Sequence, residues 1–209
     1  MSATRRQALT ALAALAAGPT LIVANAPARA AVQTGRPAPD FTAADSKGVQ
    51  HSLAAYRGKT VVLEWTNHEC PYTGKHYATG NMQALQAAAT GSGAVWLTVI
   101  SSRPGEQGYV QGPEADRLTA TRMAKPTAVL LDPKGQVGRL YDARTTPHMF
   151  VIDGAGMLVY MGAIDDKPGA SQASVKGARN YVREALEAVA AGRPVAVAST
   201  RPYGCSVKY

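Results

Sequence analysis

The sequence predicts an α/β domain built on a central mixed β-sheet with helices on both faces, and three observations carry that prediction. Residues 60–65 and 94–100 are short apolar, β-branched runs separated by a helix-length segment, a strand–helix–strand crossover that implies parallel pairing. Residues 149–152 and 158–162 flank Asp153-Gly154-Ala155-Gly156, where glycine supplies turn conformations, so this second pair is an antiparallel hairpin. Cys70-Pro71 stands where the first strand gives way to the first helix.

Residues 1–30 read as an export signal, not as part of the fold. They open with Thr4-Arg5-Arg6-Gln7-Ala8-Leu9, a twin-arginine pattern, continue through an Ala/Leu-rich run, and end at Ala28-Arg29-Ala30, a small-residue cleavage site. A stable membrane anchor is the weaker reading, because Gly18-Pro19 interrupts the apolar run and leaves it short for a span. The expected destination is the bacterial periplasm or the cell exterior. Residues 31–209 are then long enough for one domain with its own core. The formal charge of +8 falls by three without the signal, which holds three arginines and no acid. The remaining basic residues are scattered and lack interleaved aromatics, which argues for a solvated surface and no nucleic-acid partner.

Along the domain, residues 36–59 form an N-terminal hairpin region punctuated by Pro37, Pro39 and the Ser46-Lys47-Gly48 turn. Thr60-Val61-Val62-Leu63-Glu64-Trp65 suits a strand buried on both faces and so central in the sheet. Thr66 to Glu69 is a loop, and Pro71 fits the first helical position, where its missing N–H costs nothing. The helix runs towards Thr90 with a break near Gly80-Asn81, after which Met82, Leu85 and Ala89 continue an apolar face. Beyond the strand at 94–100 come a Gly/Pro-rich loop at 103–113, a helix at 114–124, a short strand at 128–131 and a helical turn at 135–141. Val175, Ala178, Tyr181, Val182, Ala185, Leu186 and Val189 share one helical face that Gly192 and Pro194 terminate, and residues 195–209 form a tail.

The chemistry centres on Cys70. A thiol is nucleophilic as its thiolate, and the free N–H groups and macrodipole of a helix N-terminus stabilise that anion. Lys75 and His76, one turn on, either add positive charge or sit as solvated helix residues. A small buried core cysteine is the bland alternative, but such residues seldom precede proline at a strand–helix junction.

Cys70-Pro71-Tyr72-Thr73 resembles the thioredoxin active-site turn with Thr73 in place of the second cysteine, and Thr146-Pro147 resembles its cis-proline loop. The resemblance implies a thioredoxin-like fold in which that loop faces the thiol, with Pro71, Thr146 and Pro147 forming the substrate face. It also implies a buried acid beneath the site at Glu64, six residues before Cys70. Such a carboxylate would have a raised pKa and could carry protons to and from the thiol, whereas an edge-exposed, salt-bridged Glu64 would not. Over the whole of residues 31–209 the chain is similar to the redoxin group of the alkyl hydroperoxide reductase and thiol-specific antioxidant (AhpC/TSA) family. The stretches Trp65-Thr66-Asn67-His68-Glu69-Cys70-Pro71-Tyr72, Thr145-Thr146-Pro147-His148-Met149-Phe150-Val151-Ile152, Gly162-Ala163-Ile164-Asp165-Asp166 and Tyr203-Gly204-Cys205-Ser206-Val207-Lys208-Tyr209 resemble its peroxiredoxin-like branch. The chain departs from working peroxiredoxins in carrying Leu63 and Asn67 where those place Pro and Thr or Ser, seven and three residues before the peroxidatic cysteine.

Cys205 is the second of two cysteines, and an oxidising compartment permits a disulfide to Cys70. Beside Gly204 in a mobile-looking tail it reads as a resolving thiol, against the alternatives of a static tail-anchoring disulfide, an unrelated free thiol or a bond to another subunit. The function expected is an exported thiol-dependent oxidoreductase. Cys70 attacks a peroxide or disulfide substrate, Cys205 resolves the product, and a protein thiol reductant restores both. No organic cofactor is needed, because sulfur carries the electrons. The non-catalytic alternative is a redox-sensing or copper-handling module, with His68, Cys70, His76 and Met82 as a soft-metal set. Arg144, near the cis-proline loop, either binds an anionic group or faces water.

Overall fold

A computed structural model describes residues 32–209, so the export signal expected at residues 1–30 lies outside the described residues. The domain opens with an antiparallel hairpin, β1 (Thr42–Ala44) and β2 (Gln50–Ser52), whose turn is tied by Asp45 Oδ1 accepting from the N–H groups of Lys47 and Val49. A 3-10 turn, Leu53–Tyr56, follows and is capped by the Ser52 hydroxyl. Next come β3 (Val61–Trp65), α1 (Pro71–Ala78), α2 (Asn81–Gly91), β4 (Val95–Ile100), α3 (Gly112–Thr121), β5 (Ala128–Leu131) and α4 (Gln136–Leu140). The chain ends through β6 (Thr145–Thr146), β7 (His148–Ile152), β8 (Leu158–Gly162), a 3-10 turn Gln172–Val175, α5 (Tyr181–Ala190) and β9 (Cys205–Ser206).

The main sheet has strand order β5-β4-β3-β7-β8. β3 is central, with β4 parallel on one side, as the crossover predicts, and β7 antiparallel on the other, and β7 pairs with β8 in the antiparallel hairpin expected. All five β3 residues are buried, because the strand is covered on both faces and alternate side chains enter two separate cores. Leu63, Trp65, Leu97, Phe150 and Tyr141 fill one core, and Val62, Trp96, Met82, Val151 and Val182 fill the other. Each fully buried large apolar side chain contributes about 1.5–3 kcal/mol, so these two layers fix β3 and everything mounted on its C-terminal end.

This is a thioredoxin-like fold with helices on both faces of the sheet, the two faces being covered unequally. Helices α1, α2 and α5 pack on one face, but the N-terminal hairpin, the 3-10 turn and short α4 cover most of the other. The break expected near Gly80-Asn81 is present: Gly80 takes φ +75, a left-handed conformation that glycine adopts without penalty, and it separates α1 from α2. The last helix starts later than its apolar face suggests. Asn180 caps it by accepting the Arg183 N–H at 2.9 Å, and Val175 belongs to the preceding 3-10 turn. No helix among the described residues is long and apolar enough to cross a membrane.

The C-terminal segment is docked, which corrects the expectation of a mobile tail. The N–H of Met161 donates to Ala198 O at 3.1 Å and that of Thr200 to Met161 O at 3.1 Å. Further on, the Val207 N–H donates to Arg144 O at 3.0 Å and the Tyr209 hydroxyl to Ala143 O at 2.6 Å. Between these ties β9 pairs antiparallel with β6.

Candidate active site

The loop after β3 is held by its own side chains. Asn67 Oδ1 accepts the Glu69 N–H at 2.9 Å, Glu69 Oε2 accepts the Gly108 N–H at 2.6 Å, and Arg122 donates to the His68 carbonyl at 2.8 Å. These bonds bring the chain into α1 with Cys70 as its N-cap and Pro71 at the first helical position, the geometry the Cys-Pro pair predicts. Asn67 is therefore spent on loop geometry, and Leu63 is packed in the core. Neither presents a polar group to the site in the manner of the residues found at those positions in working peroxiredoxins.

Cys70 is 1% exposed. Its Sγ donates to the Thr146 carbonyl at 3.0 Å, and the Thr146–Pro147 peptide is cis. Burial alone pushes the Cys70 thiol up, but hydrogen bonds from the side chains of Cys205 and Thr146 and from the Thr73 backbone outweigh it and hold the pKa below its ordinary 9.0. Cys205 shows the opposite shift: burial, the hydrogen bond to Cys70 and the charge there push it up to about 11. The two thiols of the pair are thus shifted in opposite directions, with Cys70 the more acidic. Both cysteines are free in this structure.

Glu64 is buried, not edge-exposed. Its carboxylate accepts from the Tyr77 hydroxyl at 2.8 Å, Trp96 Nε1 at 2.8 Å, Gln86 Nε2 at 3.1 Å and the Thr98 hydroxyl at 3.1 Å. Burial raises its pKa, against the lowering effect of those four donors. The donors come from α1, α2 and β4, so the carboxylate fastens both helices to β3. The structure brings together Cys70, Cys205, Pro71, Thr146 and Pro147 without placing Glu64 in hydrogen-bond contact with either thiol.

Lys75 and His76 contribute no charge to Cys70 and are not solvated. Both are buried in a cluster with Asp165 and Tyr203: Lys75 Nζ lies 3.9 Å from Asp165 Oδ1, and His76 Nε2 lies 3.2 Å from the Tyr203 hydroxyl. Burial, with the Lys75 charge, lowers the His76 pKa to about 3, so the imidazole is neutral at physiological pH. The Tyr203 hydroxyl donates to Asp165 Oδ1 at 2.5 Å, and the Lys75 ammonium stands 4.8 Å over the Tyr203 ring. This cluster anchors the tail two residues before Cys205. A second anchor follows at Tyr209, whose ring lies under the Arg139 guanidinium at 4.7 Å. Arg144 faces water beside Asp142.

The soft-metal set is not assembled. His76 is committed to Tyr203 and Asn81, and Met82 is packed in the core. Among the described residues no group of three or more His, Cys, Asp or Glu side chains is placed to hold a metal ion.

Sequence reasoning missed Tyr203, Asp165 and Tyr209 as the residues that seat Cys205. The signal was present in the tail itself. Tyr203, Cys205, Val207 and Tyr209 alternate with Gly204, Ser206 and Lys208, the period-2 pattern of a half-buried strand.

Residues 34–161 match the model of the AhpC/TSA family, a span that holds Cys70 and the cis-proline loop and stops short of the tail. The chain is similar to the thiol-disulfide oxidoreductase ResA of Geobacillus kaustophilus (strain HTA426), at 28% identity over 135 residues that cover 61% of this chain and 68% of that protein. Among solved structures it is similar to a hypothetical protein from Sinorhizobium meliloti 1021, with a TM-score of 0.72 and 22% identity over 86% of this chain and 96% of the other. An uncharacterized conserved protein from Geobacillus kaustophilus aligns with a TM-score of 0.71 and 22% identity, over 85% and 92% of the respective chains. At that identity the structural likenesses speak to the fold.

Proposed function

This chain belongs to the AhpC/TSA family, and from that premise and the meeting of two thiols at the cis-proline loop we propose that it is a thiol-dependent oxidoreductase of the peroxiredoxin-like branch. Cys70 is the nucleophile. With a peroxide, its thiolate takes the distal oxygen, the O–O bond breaks, and the departing hydroxide or alkoxide takes a proton. The Cys205 thiol then condenses with the Cys70 sulfenic acid, forming a disulfide and releasing water. With a disulfide substrate, Cys70 expels one thiolate and Cys205 expels the other. In both cases two thiols give two electrons to one oxidant, and a protein thiol reductant must return them.

The observation that carries this reading is the seating of Cys205 opposite Thr146, whose carbonyl accepts the Cys70 thiol at 3.0 Å at the N-terminus of α1, with Cys70 the more acidic of the two. Pro71, Thr146 and Pro147 form the wall against which the oxidant meets Cys70. Glu64 acts as a positioning residue that keeps α1 on the sheet, in place of the proton carrier that the resemblance implies. Residues 1–30 act as a twin-arginine signal that delivers the folded domain to the periplasm or cell exterior, where a thiol–disulfide couple can work.

Turnover tests the proposal. Residues 31–209 with excess dithiothreitol should consume many equivalents of hydrogen peroxide or of oxidised glutathione, and Cys70→Ser should consume none above the background of the reductant. Consumption that stops at one equivalent would instead make the protein a stoichiometric redox sensor.

A further inference from the structure

Thr145 and Thr146 form a short strand edge beside the Cys70 thiol, and an extended peptide can add a strand to an edge of that kind. That edge is already taken. Thr145 pairs with Ser206 and Thr146 with Cys205, so the chain's own tail lies where such a peptide would lie. The fit is close: Gly204 takes φ +135, and a Cβ there would come within 2.0 Å of the Thr146 carbonyl oxygen. The strand is fastened on both sides of Cys205, by Tyr203 in the buried Asp165 cluster and by Tyr209 on Ala143. A segment tethered in this way competes at an effective concentration of about the millimolar range, against which a protein disulfide at ordinary concentration is a weak rival. With the tail seated Cys70 is 1% exposed, so the oxidant that reaches its sulfur is one that needs no strand edge.

We propose that residues 203–209 are a built-in occupant of the peptide-binding edge, so that the oxidants of this enzyme are small molecules, hydroperoxides and low-molecular-weight disulfides, and protein disulfides are excluded. The inference rests on the reading of Cys70 as the reactive thiol. It sets this chain apart from an oxidoreductase whose substrate is another folded protein. The electron balance is the one given above: Cys70 and Cys205 supply two electrons, the small oxidant accepts them, and a thiol reductant closes the cycle.

The experiment measures the second-order loss of the Cys70 thiol in reduced protein with hydrogen peroxide, with oxidised glutathione and with disulfide-bonded insulin. Wild type should react with at least one small oxidant about 100-fold faster than with insulin, and Gly204→Ala, which forces β9 off β6, should raise the insulin rate about tenfold. Tyr209→Ala releases the far end of the tail without touching β6 and should shift the insulin rate in the same direction, which guards against misfolding of the first variant. Insulin reacting as fast as the small oxidants in wild type would overturn the inference and leave Cys70 as an active thiol. No gain with insulin in either folded variant would also overturn it. If none of the three oxidants reacts faster than with a free thiol, the reading of Cys70 itself fails.

Discussion

Thr146 and Cys205 stand directly opposite one another in antiparallel register, and that pairing sets the second thiol of the chain against the first. The same residue whose carbonyl accepts the Cys70 thiol is thus the one that seats its partner. Oxidation needs no approach of a distant tail, so the disulfide should form within one chain, at a rate independent of protein concentration. Non-reducing electrophoresis of the oxidised protein checks this, with a covalent dimer as the contrary result.

Removing Cys205 should make Cys70 less acidic. The Cys205 side chain is the largest of the hydrogen bonds that outweigh burial and lower the Cys70 pKa. In Cys205→Ala the midpoint of the pH dependence of iodoacetamide alkylation should move up from its wild-type position below 9.0. At a pH under both midpoints the variant should therefore react more slowly, and an unmoved midpoint would place the source of acidity elsewhere.

Glu64 predicts a pH-dependent stability. Its folded pKa is raised above the ordinary 4.5, chiefly by burial, so the folded chain holds that proton more tightly than the unfolded one. The contribution is full below the unfolded pKa and is lost as pH climbs through the folded value, because stability falls with pH wherever the native state binds more protons. Glu64→Gln cannot titrate, so its stability relative to wild type should rise across that window in urea unfolding followed from pH 4 upward. Its peroxide or disulfide rate should stay within about threefold of wild type, since a general acid or base typically contributes 100-fold or more. A larger loss would return proton transfer to Glu64.

Tyr203→Phe keeps the ring and removes a hydroxyl that Asp165 Oδ1 and His76 both use. Asp165 Oδ2 has no hydrogen-bond partner among the described residues, and without Tyr203 the carboxylate keeps the Lys167 N–H at 2.9 Å and the Lys75 ammonium at 3.9 Å. The cost should be about 1.5–3 kcal/mol, the range for a hydrogen bond to a charged group. Faster amide exchange confined to residues 203–209 would mark loss of the tail anchor, and unchanged exchange there would count against the anchoring role.

Much of the fold was legible because β3, β4 and the β7–β8 hairpin carry unambiguous apolar runs and turn residues, and Cys70-Pro71 marks a helix start by local chemistry alone. Charged residues on α1 were harder to read. Lys75 and His76 look like a solvated turn of helix, and only the fold brings Asp165 and Tyr203, from far along the chain, to bury them. The same holds for Glu64, where the sequence left a buried and an edge-exposed residue both open and only the fold supplies the four donors from α1, α2 and β4 that engage it. The tail's alternating pattern was visible, yet its partner is a two-residue strand too short to announce itself. Short strands without apolar runs are set by tertiary pairing, which a single sequence does not display.

The most direct test is rapid mixing of the reduced domain, residues 31–209, with hydrogen peroxide and separately with oxidised glutathione, with intact mass read at successive times. The account predicts Cys70 loss faster than that of a free thiol with at least one oxidant, ending in a monomer lighter by two hydrogens through a Cys70–Cys205 bond. In Cys205→Ser the reaction should stop at the Cys70 sulfenic acid or mixed disulfide. Loss of Cys70 no faster than a free thiol, or a final product without that bond, would contradict it.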